Sequence, residues 1–216
     1  MLLEAKNICK TIRKKIILSD ISLRLESGAI YGFVGRNGSG KTMLFRALSG
    51  LMTLTSGSVF WDSKELHKDF SVLPSMGIVL ENVGLYPELT GMQNLQYFAR
   101  LSGKADPEDM RTALVRVGLD PDDKRTYRKY SLGMKQRLAI AQAIMEKPDV
   151  ILLDEPTNSL DEDGVALIRS LILEEKQRGA LILLASHNKE DIGLLADRLF
   201  RIEMGVVFEQ EWKNEE

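Results

Sequence analysis

The sequence predicts an α/β fold: a mainly parallel sheet covered by helices, with antiparallel strands at its N-terminus and a helical insert in its middle. Three observations carry this expectation. Val150-Ile151-Leu152-Leu153 and Ala180 to Ala185 are uninterrupted apolar runs, the pattern of strands buried on both faces. Segments with helical periodicity alternate with these runs. A β-rich run, Ala29 to Val34, leads into a glycine-rich loop and then into residues with helical spacing.

Taken in order, Leu2 to Ile8 and Ile16 to Leu25 are short apolar segments broken by polar residues and read as antiparallel strands. After the strand at Ala29 to Val34 and its loop, Lys41 to Ser49 is helical until Gly50 stops it. The middle third has helical segments and few strands. Thr90 and Gln93 form a capping box for a helix through about Leu101, and Asp106-Pro107 opens a second helix that ends at Gly118. The insert is placed at about residues 86–147 of a single domain spanning 1–216. Met134 to Met145 is helical and Pro148 closes it, Asp161 to Arg178 is helical, and Lys189 to Ala196 is a short helix. No internal repeat or low-complexity segment interrupts this order.

Composition narrows the class of function. The 216 residues suffice for one substantial core, and 44% hydrophobic with 28% charged residues is ordinary for a soluble domain. A formal charge of −2 weighs against a chain that grips nucleic acid through net positive charge. The single cysteine, Cys9, has no intramolecular disulfide partner and no companions at metal-ligand spacing, so a reducing interior is expected. The longest apolar runs are far shorter than the roughly 20 residues that cross a bilayer. The N-terminal residues lack a basic region followed by an apolar stretch, so a cytoplasmic chain, free or docked, is expected.

The loop Gly35-Arg36-Asn37-Gly38-Ser39-Gly40-Lys41-Thr42 matches the phosphate-binding pattern at every required position. Its backbone N–H groups, turned inward by Gly35, Gly38 and Gly40, can surround phosphate oxygens at a helix N-terminus whose dipole favours negative charge. Lys41 is expected to reach the β- and γ-phosphates of ATP, and the Thr42 hydroxyl to take a Mg²⁺ position. Asp154 and Glu155 end an apolar strand, at the sheet edge where ligands of parallel sheets bind. Asp154 is the candidate Mg²⁺ holder and Glu155 the candidate acceptor of a proton from the attacking water. Alone, the two acids equally suit a helix N-terminus, which Pro156 and Thr157 support.

Three further segments choose among nucleotide hydrolases: Tyr130-Ser131-Leu132-Gly133-Met134-Lys135-Gln136-Arg137, Asn158-Ser159-Leu160-Asp161, and Ser186-His187. With these spacings the chain resembles an ATP-binding-cassette (ABC) ATPase from Leu3 to about Val207. The resemblance implies a parallel ATP-binding core, an antiparallel β subdomain and a helical subdomain carrying the signature segment. It also implies a dimer, homo- or heteromeric, in which each ATP lies between the phosphate loop of one subunit and the signature of the other. Ser131 and Gly133 would then contact the γ-phosphate across the interface, Asp161 would couple the two sites, and His187 would hold the γ-phosphate and the attacking water. By themselves, residues such as Ser131 and His187 are more often a helix N-cap and a satisfied strand-end histidine.

The chain departs from the family pattern at several positions. The family signature Leu-Ser-Gly-Gly-Gln has Tyr130, Leu132 and Met134 at three of its five positions. Glu81 stands where a glutamine is usual; it can ligate Mg²⁺ but adds negative charge beside ATP. Ile12, flanked by Lys10 and Arg13, stands where an aromatic residue usually stacks on adenine. Glu81, the stretch Gly84-Leu85-Tyr86-Pro87-Glu88-Leu89-Thr90 and the altered signature look most like the subgroup that exports bacitracin, lantibiotics and similar peptides. The resemblance implies a membrane permease as partner, with Glu81 to Tyr86 as a docking surface, and a peripheral place on the inner face of the cell membrane. Packing within the insert is the other reading of that stretch. A soluble ABC ATPase acting without a permease, or an ATP-sensing module, are the alternative functions.

Overall fold

The computed structural model describes residues 1–80 and 84–210. In chain order the elements are β1 (Leu2–Ile12), β2 (Lys15–Glu26), β3 (Ile30–Val34), α1 (Lys41–Ser49), β4 (Ser56–Trp61), β5 (Lys64–Glu65), β6 (Met76–Val79), α2 (Gly91–Ser102), α3 (Pro107–Arg116), α4 (Leu132–Ile144), β7 (Val150–Asp154), α5 (Glu162–Gln177), β8 (Leu181–Ala185), α6 (Lys189–Leu195), β9 (Arg198–Glu203) and β10 (Val206–Gln210). They form two sheets. One has the order β2-β1-β4-β5 and pairs antiparallel throughout; the other has the order β10-β9-β3-β8-β7-β6 and is parallel except for β10.

Side-chain alternation along the parallel strands divides the core in two. Ile30, Ile151, Leu153, Ile182 and Leu184 point into a cluster with the helices α2 to α6. Their neighbours Tyr31, Phe33, Leu152 and Leu183 point the other way, against α1 and the antiparallel sheet. Burial on both faces is why these strands read as continuous apolar runs rather than alternating ones. Phe33 meets Phe45 of α1 edge-on at 5.4 Å and stacks on Phe200 of β9 at 5.3 Å. A fully buried Phe contributes roughly 1.5–3 kcal/mol, so this trio seats α1 directly behind the loop that precedes it.

The local signals place the helices. Thr90 and Gln93 form a reciprocal capping box on α2, and Asp106 caps α3 with Pro107 at its first position. α4 begins at Leu132, two residues ahead of its apolar periodicity, because the Ser131 hydroxyl accepts the Met134 N–H at 3.2 Å. Glu175, 1% exposed, lies between Arg116 at 2.6 Å and Arg178 at 2.7 Å and ties α3 to α5. The strands β4, β6, β9 and β10 go beyond the sequence expectation. β6 is only four residues long, and β4 and β9 mix exposed polar with buried apolar positions, so none forms a long uninterrupted run. Among the described residues no helix is long and apolar enough to cross a membrane.

Candidate functional site

A cleft of about 840 Å³ opens where β3, β7 and β8 end. Its floor is the loop between β3 and α1. Gly40 has φ 114 and Gly38 φ 79, a left-handed backbone that turns the loop onto the first turn of α1. Gly35 serves another purpose than the inward turn the sequence suggested. A Cβ there would fall 2.4 Å from the Ile202 carbonyl of β9 and 2.7 Å from Ser39 Oγ, so its missing side chain lets the loop lie against the sheet.

Three features of this loop fit a phosphate group. Lys41 is 7% exposed, and its ammonium donates to the Gly35 carbonyl at 2.7 Å and the Arg36 carbonyl at 3.4 Å, neutral partners that leave its charge uncancelled. Ser39 Oγ is buried without a hydrogen-bond partner among the described residues. The first N–H groups of α1 have no partners inside the helix and face the cleft with the positive end of its dipole. Asn37, Gly38, Ser39, Gly40, Lys41 and Thr42 all line the cleft; Gly35 backs it.

The opposite wall is acidic. Asp154, the last residue of β7, accepts the Thr42 hydroxyl at 2.5 Å, so two of the three candidate Mg²⁺ holders meet at one point. A hydroxyl and a carboxylate completed by substrate phosphates are what Mg²⁺ uses in sites of this kind. Glu155 follows in the left-handed region at φ 51, an uncommon conformation for a side chain larger than Gly, Asn or Asp. Several bonds hold it there. Its N–H donates to the Ala185 carbonyl at 2.8 Å, and Gln136 of α4 donates to the carbonyls of Glu155 at 3.4 Å and Pro156 at 3.2 Å. The Glu155 carboxylate accepts the His187 backbone N–H at 3.3 Å and lies 2.8 Å from His187 Nδ1. An ionised carboxylate at that distance favours the tautomer with the proton on Nδ1, which leaves Nε2 as an acceptor.

The structure thus brings Lys41, Thr42, Asp154, Glu155 and His187 to one cleft. Ser131, Gly133 and Asp161 do not line it. Ser131 and Gly133 start α4, where the Ser131 cap uses an oxygen lone pair and leaves the hydroxyl proton available. A Cβ on Gly133 would reach 3.0 Å from the Ser159 carbonyl. Asp161 caps α5 by accepting the Gly164 N–H at 3.1 Å and pairs with Arg137 of α4 at 2.9 Å. Glu81 lies outside the described residues.

Some lining residues were not anticipated. The far end of the cleft is formed by Lys15, Ile16 and Met204, and Ile12 is not among its walls. Arg13 and Lys14 both have positive φ, making the two-residue turn that pairs Ile12 with Lys15 and carries Ile16 to the cleft. The adjacent pair Ile16-Ile17 was a readable signal for this. Met204 and Gly205, in the turn between β9 and β10, had none. Gly205 donates its N–H to the Ser39 carbonyl at 3.1 Å and accepts the Ser19 N–H at 2.8 Å, which fastens that turn to the phosphate loop and to β2.

A second surface lies on α2. Leu85 is buried, and the backbone of Tyr86 is held by Asn94, itself fully buried, through bonds of 2.8 and 3.2 Å. Tyr86 packs edge-on against Tyr97 at 4.5 Å, and both rings remain about two-fifths exposed beside Leu101, which is 71% exposed.

Residues 18–158 match the family described as ABC transporter. An uncharacterized ABC transporter ATP-binding protein of Bacillus subtilis (strain 168) is 48% identical over 196 residues, 91% of this chain and 90% of that protein. A bacitracin transport ATP-binding protein of Enterococcus faecalis is 36% identical, covering 96% of this chain and 68% of that one. A lantibiotic transport ATP-binding protein of Streptococcus pyogenes is 33% identical over 216 residues, covering 100% and 93%. Among solved structures, an ATP-binding subunit of an ABC transporter superposes with a TM-score of 0.87 at 25% identity, covering 97% of this chain and 90% of that one. A dimeric post-hydrolysis state of an ATP-binding cassette bound to ADP and Pi superposes with a TM-score of 0.88 at 22% identity, covering 98% and 99%.

Proposed function

The chain belongs to the family of ABC transporter ATP-binding subunits, and from that premise we propose that it hydrolyses MgATP in the cleft as half of a shared dimeric site and drives a separate membrane permease. The observation that carries this reading is the convergence of a buried lysine, a hydroxyl–carboxylate pair and a glutamate–histidine pair on a single phosphate-sized floor.

In this reading the loop N–H groups, Ser39 and Lys41 bind and orient the phosphates. Thr42 and Asp154 would hold Mg²⁺, which when bound neutralises charge on the phosphate oxygens. Glu155 takes a proton from water as the water oxygen bonds to the γ-phosphorus. The bond from that phosphorus to the bridging oxygen breaks, and ADP leaves with the electron pair. His187 orients Glu155 through Nδ1–H and offers Nε2 to the attacking water; once protonated, it can donate to the γ-phosphate instead. Ser131 and the first N–H groups of α4 are exposed at a helix N-terminus and would cap the γ-phosphate of a partner subunit. Asp161, bonded to α4 through Arg137, would couple the two sites. The structural neighbour caught as an ADP- and Pi-bound dimer supports that arrangement by its shape.

The Tyr86–Tyr97–Leu101 surface suits a short amphipathic segment of the permease, and the chain would work on the cytoplasmic face of the membrane. The relatives named for bacitracin and lantibiotic transport support export of a peptide antibiotic or related compound. The test is phosphate release by the purified chain together with its isolation from membranes. Turnover per chain is expected to rise with chain concentration as dimers form, and a polytopic partner is expected to co-purify. Turnover that is independent of concentration in a monomer removes the shared site, and recovery free of any membrane protein removes the permease.

A further inference from the structure

One buried charge near the cleft is not used by this chemistry. Asp191 of α6 is 0% exposed, and a carboxylate out of water persists only where partners replace the water. Its Oδ1 accepts Arg169 Nε at 2.7 Å, with Arg169 Nη2 at 2.5 Å. Its Oδ2 accepts the Thr157 hydroxyl at 2.5 Å, and the Ser186 hydroxyl lies at 3.5 Å. Thr157 stands two residues after Glu155, and Ser186 immediately precedes His187. Both are buried. One carboxylate is therefore bonded to the backs of the two loops whose fronts carry Glu155 and His187.

We infer that Asp191 is a positioning residue for the Glu155–His187 pair, with Thr157 as its link to the glutamate loop and Arg169 as its ion-pair partner. The inference rests on the roles proposed above for Glu155 and His187. Two observations make the placement consequential. Glu155 sits in an uncommon backbone conformation that its surroundings must impose, and Gln136 restrains its loop from one side while Thr157 restrains it from the other. The His187 side chain is 63% exposed and meets Glu155 through one 2.8 Å contact, so the course of the chain from Ser186 to Asn188 sets where its ring lies. The Ser186 hydroxyl also accepts the Asn188 N–H at 3.1 Å, which tightens that turn. A displacement of about 1 Å in either loop opens the contact, and misplacements of that size cost about 100-fold in rate.

If Asp191 only packs α6 against α5, Thr157 matters through its shape; if it positions the pair, Thr157 matters through its hydroxyl. Thr157→Val keeps the shape and removes the hydroxyl, whereas Thr157→Ser keeps the hydroxyl and removes the methyl. Thr157→Val is expected to lower kcat for phosphate release about 10-fold, with Kd for ATP changed less than about threefold, and Thr157→Ser to restore kcat to within about twofold of the unsubstituted chain. Asp191→Asn is expected to lower kcat about 10- to 100-fold with the same retention of ATP affinity; if it does not fold, the Thr157 pair decides. A kcat in Thr157→Val equal to the unsubstituted chain, a Ser variant worse than the Val variant, or affinity lost in step with kcat overturns the inference. Glu155→Gln measured in parallel separates the two failures. If it retains turnover, the base assignment itself is wrong; if it stops turnover while Thr157→Val does not slow it, only the positioning role of Asp191 is lost.

Discussion

The two ends of the cleft are built on different principles. At the phosphate end a buried ammonium, a glycine pressed against a neighbouring strand and side chains bonded at 2.5 to 2.8 Å leave little freedom. At the other end the walls are Lys15 and Ile16, the first residues of β2, and Met204 of the turn between β9 and β10, with Ile16 61% and Met204 93% exposed. No Phe, Tyr or Trp among the described residues lines that end. In the proposed reaction, preorganisation is concentrated where charge changes, and the other end would offer a nucleobase the apolar surface of Ile16 and Met204 and the cation of Lys15. The site is therefore expected to select for phosphates strongly and for the base weakly.

This contrast can be broken or sharpened at four points. The largest effect is expected from Glu155→Gln, which removes the proposed proton acceptor and keeps the shape; kcat for phosphate release is expected to fall about 10²- to 10⁴-fold while ATP still binds. Turnover near that of the unsubstituted chain would move the chemistry elsewhere. Lys41→Ala deletes charged hydrogen bonds to the phosphates, worth about 1.5–3 kcal/mol, so Kd for ATP by calorimetry rises about 10- to 100-fold. An unchanged Kd would mean that the phosphate end is not where affinity resides. Gly35→Ala forces a methyl to within 2.4 Å of the Ile202 carbonyl, an overpacking of about 1–3 kcal/mol that lowers Tm by several degrees. A Tm matching that of the unsubstituted chain would show that the loop has room to shift. At the base end, Ile16→Ala changes Kd for ATP by no more than about threefold, and ATP and GTP bind within about threefold of each other. A tenfold preference for either nucleotide would reveal base recognition that these side chains do not explain.

What could be read in advance follows the same division. The parallel strands and the phosphate loop announce themselves because burial on both faces demands continuous apolar residues, and because a tight loop demands glycine at fixed offsets. Thr90 with Gln93 and Asp106 with Pro107 announce their helices because a cap is local chemistry. Gly35 was singled out for an inward turn, whereas the structure shows its close approach to Ile202, which comes from a strand far along the chain. Met204, Gly205 and the Asp191–Thr157–Arg169 network were not visible at all: each depends on segments that only the fold brings together. Ile12 was singled out by its place in the chain; it does not line the cleft, whereas Ile16, beyond the two-residue turn at Arg13-Lys14, does.

The bond from Gly205 to Ser39 also gives the site an order in time. The whole glycine loop leaves the ribosome before the turn that braces it has been translated. At roughly 5–20 residues per second, the interval between translating Thr42 and Gly205 is on the order of ten seconds or more. During that interval the nascent chain carries the complete motif without its brace. The loop is therefore expected to reach its braced form only once the hairpin of β9 and β10 has been made.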